Sequence, residues 1–170
     1  MAAHADFWQV TGDALDYAFA AHGIADAALR DRLMDAYLAL SAYPEVPDAL
    51  QGLRAEGLRL AILSNGSPRM LAAAVANAGI AAAFDAVLSV EEVGIYKPDA
   101  RVYRLAADRL ALRPAEICFL SSNAWDVCGA AHFGFQVVWI NRFAQPRERL
   151  PGAPRAEIRA LDALKPLLQA

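Results

Sequence analysis

From residue 43 onward the sequence repeats one pattern, a segment of helical period followed by a short, nearly unbroken apolar run. Helix-like 46–56 leads into 58–63, 68–78 into 84–88, 99–110 into 117–120, and 125–133 into 137–140. Short apolar runs without polar alternation, each separated from the next by a helix, mark strands of a parallel sheet that is covered on both faces. The expected fold class is therefore α/β, a doubly wound parallel sheet with a Rossmann-like core. A Pro- and Arg-rich stretch at 146–155 then leads to a last predicted helix at 160–169.

The first forty residues follow a different rule. Phe7, Val10, Leu15 and Phe19, then Leu29, Leu33, Tyr37 and Leu40, fall at helical spacing with a break at His22-Gly23. Asp26 is the expected N-cap of the second helix. Residues 1–41 thus read as a small helical piece and 42–170 as the α/β domain. A chain of 170 residues suits one domain with such an appendage. The net charge of −3, from 16 basic and 19 acidic residues, excludes a nucleic-acid binder that works by bulk positive charge. With 57% hydrophobic residues the chain is not disordered. No apolar run reaches the ~18 residues of a membrane span, since 71–84 is broken by Asn77 and Gly79. No basic start with an apolar stretch behind it opens the chain, and Cys118 and Cys128 lack metal-ligand spacing. A cytoplasmic protein without membrane or nucleic-acid partners is expected.

In an open α/β sheet, ligands collect at the carboxyl ends of the strands. Three polar loops fall there: Ser64-Asn65-Gly66-Ser67-Pro68, Gly94-Ile95-Tyr96-Lys97-Pro98-Asp99 and Ser121-Ser122-Asn123-Ala124-Trp125-Asp126. Hydroxyls and amides at a helix start suit an anion. Each piece also has a plain structural account. Ser-Asn-Gly makes a turn and cap, Lys97 a solvated surface charge, Asp126 a favourable first-turn acid, and Trp125 and Tyr103 core packing. His4, His22 and His132 are scattered, and neither a Gly-rich phosphate loop nor a Gly-x-Ser-x-Gly elbow occurs.

The order and spacing are more specific than the pieces. Leu63-Ser64-Asn65-Gly66, then Tyr96-Lys97-Pro98-Asp99 with Tyr103 six residues after the lysine, then Ser121-Ser122-Asn123-Ala124-Trp125-Asp126, closely resembles the haloacid dehalogenase superfamily, and within it the type II (L-2-haloacid) dehalogenases. The resemblance makes residues 1–41 the remainder of the family's helical cap and 42–170 its core. The superfamily's phosphatases hold Mg²⁺ with more than one carboxylate. Here Asp126 is the loop's one acid, beside Ser121, Ser122 and Asn123, so neither a metal nor another cofactor is expected.

The resemblance implies that an aspartate displaces halide from C2 of a small 2-haloacid, and that water then hydrolyses the ester to the 2-hydroxy acid. Ser64 and Asn65 would hold the substrate carboxylate, Lys97 would stabilise the nucleophile and the intermediate, and Tyr103 and Ser121 would position groups around it. Asn123 and Asp126 would orient and activate water, with Asp126 as base. Trp125, with Phe7 or Trp8 from the cap, would wall the halogen. The family's nucleophile precedes x-x-Gly-Thr at the end of a first, central strand, and neither that segment nor the family's cap arginine occurs in these residues. The chain is accordingly expected to be N-terminally truncated and inactive by itself. The competing expectations are a non-catalytic module that binds small carboxylates or oligomerises, and a phosphatase-like hydrolase. A homodimer is expected from the apolar residues of the two first helices.

Overall fold

The structure is a computed structural model that describes residues 4–168. In chain order it forms α1 (Phe7–Ala21), α2 (Ala27–Ala36), α3 (Val46–Ala55), β1 (Ala61–Ser64), α4 (Pro68–Asn77), β2 (Ala86–Ser89), α5 (Ala100–Leu110), β3 (Cys118–Ser121), α6 (Ala124–Phe133), β4 (Gln136–Ile140), β5 (Ala156–Ile158) and α7 (Leu164–Leu168). All strand pairing is parallel, in one sheet of order β1-β2 and another of order β3-β4-β5. Among the described residues no helix is long and apolar enough to cross a membrane. The chain divides into two compact units, Met1–Ala42 with Ala61–Gly94, and Tyr43–Leu60 with Ile95–Ala170.

In the first unit, α1 and α2 start under aspartate caps: Asp6 accepts from the Gln9 amide at 2.9 Å and Asp26 from the Leu29 amide at 2.8 Å. Arg30 joins the two helices by a two-pronged pair with Asp16, at 2.5 and 2.9 Å. Asn77 of α4 donates to the Leu40 carbonyl at 2.8 Å and ties the segment after α2 to the β-α-β part. β1 and β2 pair from Ala61↔Ala86 to Ser64↔Ser89.

The second unit is built around β4. Val138 and Ile158 from the sheet, Leu53 from α3 and Leu164 from α7 form its buried cluster. Arg142, just past β4, pairs with Glu45 and lies over the Tyr43 ring at 3.8 Å, closing the entry to α3. A second cluster gathers four aromatics. The Tyr103 ring stands 5.9 Å from Phe119, 5.8 Å from Phe133 and 5.8 Å from Phe135. Tyr103 is fully buried, and its hydroxyl donates to Asp126 Oδ1 at 2.8 Å.

Two expectations from the sequence need correction. The predicted strands stop at their last apolar residue, whereas β1 and β3 run on to Ser64 and Ser121, because the ladder is made by backbone and not by side chains. The C-terminal segment differs more. β5 occupies residues that looked like linker, since its three residues carry Glu157 in the middle and offer no apolar run. The predicted helix at 160–169 becomes a 3₁₀ turn, Leu161–Ala163, followed by the short α7. Pro166 explains this, because with no N–H it cannot donate back to residue 162, so the α-helix begins only just before it. Gln169 lies outside the described residues.

Two outcomes follow from this packing. Leu164→Ala should lower the unfolding free energy by about 2–5 kcal/mol, read from the urea midpoint, because it empties a site closed by β4, β5 and α3. Burial, with the nearby Asp126 charge and hydrogen bond, pushes the Tyr103 phenol far above its ordinary range. The folded chain therefore keeps a proton that the unfolded chain loses near pH ~10. The stabilisation is fully present below that pH and is lost above it, by up to about 1.4 kcal/mol per pH unit. Comparing urea midpoints on either side of that pH, Tyr103→Phe should show a shallower alkaline loss than the unaltered chain; parallel curves would refute the assignment.

Candidate active site

The second unit brings three of the predicted residues into direct contact. Lys97 Nζ donates to Asp126 Oδ2 at 2.7 Å while Tyr103 donates to the other oxygen. The lysine side chain is 10% exposed and the aspartate 2%, so this is a buried ion pair rather than a surface one. Lys97 Nζ also stands 5.3 Å from the Phe119 ring centroid, which gives the cation a second favourable face.

Local sequence explains why these groups meet. Asp126 is in the first turn of α6, where unsatisfied amides favour negative charge. Asp99 caps α5, accepting from the Arg101 amide and guanidinium at 2.9 Å each, and the Arg101 contact holds its carboxyl down to about 2. That cap begins the helix immediately after Lys97-Pro98 and sends Tyr103 back toward α6. The lysine is therefore not the solvated surface charge that its neighbouring proline suggests.

Ser121 ends β3, and Asn123 lies on the loop between β3 and α6. Ser121 Oγ accepts from the Asn123 amide at 3.2 Å, and Asn123 is the N-cap residue of α6 without a side-chain cap bond. Trp125 is half-buried on the first turn of α6. Ser64 and Asn65 belong to the first unit. There Ser64 Oγ accepts from the Gly66 amide at 3.1 Å, which leaves its own proton to be donated, and Ser67 caps α4 through the Met70 amide at 3.4 Å. Trp8 of α1 lies in the same unit, with the Arg69 guanidinium 5.2 Å from its ring centroid.

Two supporting residues escaped the sequence reading. Ser89, buried at the end of β2, donates to the Gly66 carbonyl at 2.8 Å and accepts from the Glu91 amide at 3.2 Å, fixing the Ser64–Gly66 turn. Its signal was available: β1, β2 and β3 all end in Leu-Ser, and each hydroxyl accepts the amide two residues on. Trp139 of β4 is 1% exposed and donates from Nε1 to the Ser122 carbonyl at 3.1 Å, bracing the loop that carries Asn123 and Asp126. No sequence pattern marks that contact. Among the described residues no three of His, Cys, Asp and Glu gather as metal ligands would.

A family model described as a hydrolase, "haloacid dehalogenase-like hydrolase", matches residues 2–134. (S)-2-haloacid dehalogenase 1 of Pseudomonas sp. (strain CBS-3) is 47% identical over 99% of this chain and 74% of its own length. (S)-2-haloacid dehalogenase 4A of Burkholderia cepacia is 45% identical, over 97% of this chain and 72% of its own. Among solved structures, the L-2-haloacid dehalogenase from Xanthobacter autotrophicus with chloropropionic acid covalently bound superposes with a TM-score of 0.91 at 36% identity, covering 98% of this chain and 77% of that one. On this likeness in sequence and fold, the chain belongs to the haloacid dehalogenase-like hydrolases, in the branch of the (S)-2-haloacid dehalogenases.

Proposed function

We propose that the chain carries the receiving groups of a 2-haloacid hydrolase, which takes a short (S)-2-haloalkanoate to the 2-hydroxy acid through an aspartyl ester. The observation behind this reading is the Lys97–Asp126–Tyr103 cluster, a cation fixed by a buried carboxylate at the end of a neutral, hydrogen-bonding loop. In the first step an aspartate oxygen forms a bond to C2 as the C–halogen bond breaks, with inversion and release of halide. In the second, water adds to the ester carbonyl and loses a proton, and the acyl C–O bond breaks to give the 2-hydroxy acid and a carboxylate. The adduct of the first step on 2-chloropropionate is an aspartyl ester at C2 without chlorine, and a covalent complex formed with chloropropionic acid in the Xanthobacter autotrophicus structure supports a covalent route.

Lys97 stabilises the attacking carboxylate and the anion of the hydrolytic step. Asp126 holds that ammonium in place and, with Asn123, orients the water and takes its proton. Tyr103 and Ser121 fix the positions of these groups. Ser64 and Asn65 hold the substrate carboxylate with hydroxyl and amide donors, and Trp125, with Phe7 or Trp8, walls the halogen. No cofactor is assigned. Both Asp126 oxygens already accept from Lys97 and Tyr103, and Ser121, Ser122 and Asn123 add no carboxylate, which places a Mg²⁺-dependent phosphatase behind this reading. We place the enzyme in the cytoplasm and take residues 1–41 as part of a helical cap.

The 170 residues contain no Asp-x-x-Gly-Thr segment to supply the nucleophile, so the chain alone is expected to be inactive. Halide release from (S)-2-chloropropionate tests this. The chain as it stands should release none, and the chain extended by the N-terminal segment of the Pseudomonas relative should release chloride steadily and form (R)-2-hydroxypropionate. Turnover by the unextended chain would mean that another carboxylate attacks, and silence from both forms would sink the dehalogenase reading.

A homodimer is part of the same proposal, supported by exposed Val10 and Tyr17 on α1, Leu33 on α2, and Tyr37 and Leu40 just beyond it. Light scattering should give a mass near twice 18.3 kDa, and a monomeric mass would dispose of it.

A further inference from the structure

Gly129 sits in the interior of α6, where glycine is less favourable than alanine. Nothing in its backbone requires glycine, since its φ lies outside the left-handed region that Gly134 occupies at the end of the same helix. Alanine follows directly at 130 and 131, so the helix accepts a methyl beside it. What singles out position 129 is the space above its Cα. A Cβ there would stand 2.7 Å from the Tyr103 hydroxyl, 3.5 Å from Tyr103 Cε2 and 2.7 Å from Pro98 Cβ. Contacts under 3.0 Å force one side to move, and neither obstructing atom ends a flexible side chain. One is the hydroxyl that donates to Asp126 Oδ1, on a ring held by three other aromatics. The other belongs to the residue bonded to Lys97. Gly129 follows Asp126 by three residues, which puts both on one face of the helix. Gly52, in the interior of α3, offers the contrast, with nothing within 4 Å of its own built Cβ.

We infer that Gly129 is a positioning residue for the hydrolytic cluster: its missing side chain is the opening through which the Tyr103 hydroxyl reaches Asp126, and this in turn sets where Asp126 holds Lys97. The inference deepens the dehalogenase reading and rests on it for the word hydrolytic, but its geometry can be tested without turnover.

Lysine labelling supplies that test, because the chain has two lysines and they differ in exposure, Lys97 at 10% and Lys165 at 46% of the side chain. Reductive methylation of the intact 170-residue protein, followed by peptide mass spectrometry, gives the Lys97 rate with Lys165 as internal reference. Gly129→Ala should raise the Lys97 rate at least about tenfold, the scale of one hydrogen bond to a charged group, and leave Lys165 unchanged. Gly52→Ala should move neither. Combining Gly129→Ala with Tyr103→Phe and Pro98→Gly removes both blocked atoms, so the triple variant should label Lys97 as the Tyr103→Phe, Pro98→Gly protein does. A folded Gly129→Ala protein with an unchanged Lys97 to Lys165 ratio would overturn the assignment. If Gly129→Ala fails to fold, the triple variant decides: recovery of a cooperative thermal transition supports the opening, and no recovery overturns it. Chloride release enters none of these readings, so a chain that turns nothing over still reports on Gly129.

Discussion

A carboxylate on a side chain that is 2% exposed constrains the groups packed around it. Buried without partners, such a carboxylate would cost several kcal/mol; Asp126 has two donors and a helix N-terminus. Those donors come from different stretches of chain, Lys97 from a loop and Tyr103 from α5, and both must arrive within 3 Å of one side chain. The Asp99 cap starts α5 at the required place, and the aromatic ring set of Phe119, Phe133 and Phe135 fixes the direction of Tyr103. α5 and the Lys97 loop are thus tied to α6 through one acid, beside the aromatic contacts that bring in β3.

The strand ends show a related economy. β1, β2 and β3 each close on Leu-Ser, with the leucine on the apolar run and the hydroxyl turned onto the amide two residues ahead. A serine used this way satisfies a backbone donor just where the ladder stops and still has a proton to give. Ser89 gives its proton to the Gly66 carbonyl, so the turn after β1 is held from the end of β2. Trp139 does the equivalent for the turn after β3, by a bond from the neighbouring strand to the Ser122 carbonyl. The loops that carry the proposed substrate contacts are therefore braced from the sheet, and not only by their own turns.

The apolar runs made the parallel strands legible, because a strand covered on both faces needs uninterrupted apolar side chains. Asp26 was legible as a cap for an equally local reason. β5 was not, since Ala-Glu-Ile owes its place to backbone pairing with β4 and to Glu157 meeting Asn141 at 2.7 Å, a partner sixteen residues away. Motif order singled out Lys97, Tyr103 and Asp126, but not their mutual contact. Lys97 beside a proline reads locally as surface, and only the tertiary approach of α6 makes it a buried cation. Trp139 and Gly129 were silent for the same reason: one acts through an indole N–H on a neighbouring strand, the other through a side chain it lacks.

Charge balance in the cluster bears on what it can receive. Lys97 and Asp126 cancel, and Tyr103 stays neutral, so the cluster offers a polarised but uncharged surface. A nucleophilic carboxylate and a substrate carboxylate would bring two more negative charges. One of them can share the Lys97 ammonium, whose three N–H donors include the one given to Asp126. The Ser64-Asn65-Gly66 turn of the first unit offers neutral donors just ahead of α4, whose first amides carry partial positive charge, and donors of this kind suit a carboxylate. Lys97 is locked to a buried acid, whereas Ser64 is held by its own turn and, through the Gly66 carbonyl, by Ser89. A mobile cation would pair indiscriminately with either carboxylate, whereas one fixed at 2.7 Å from Asp126 favours the group placed against it.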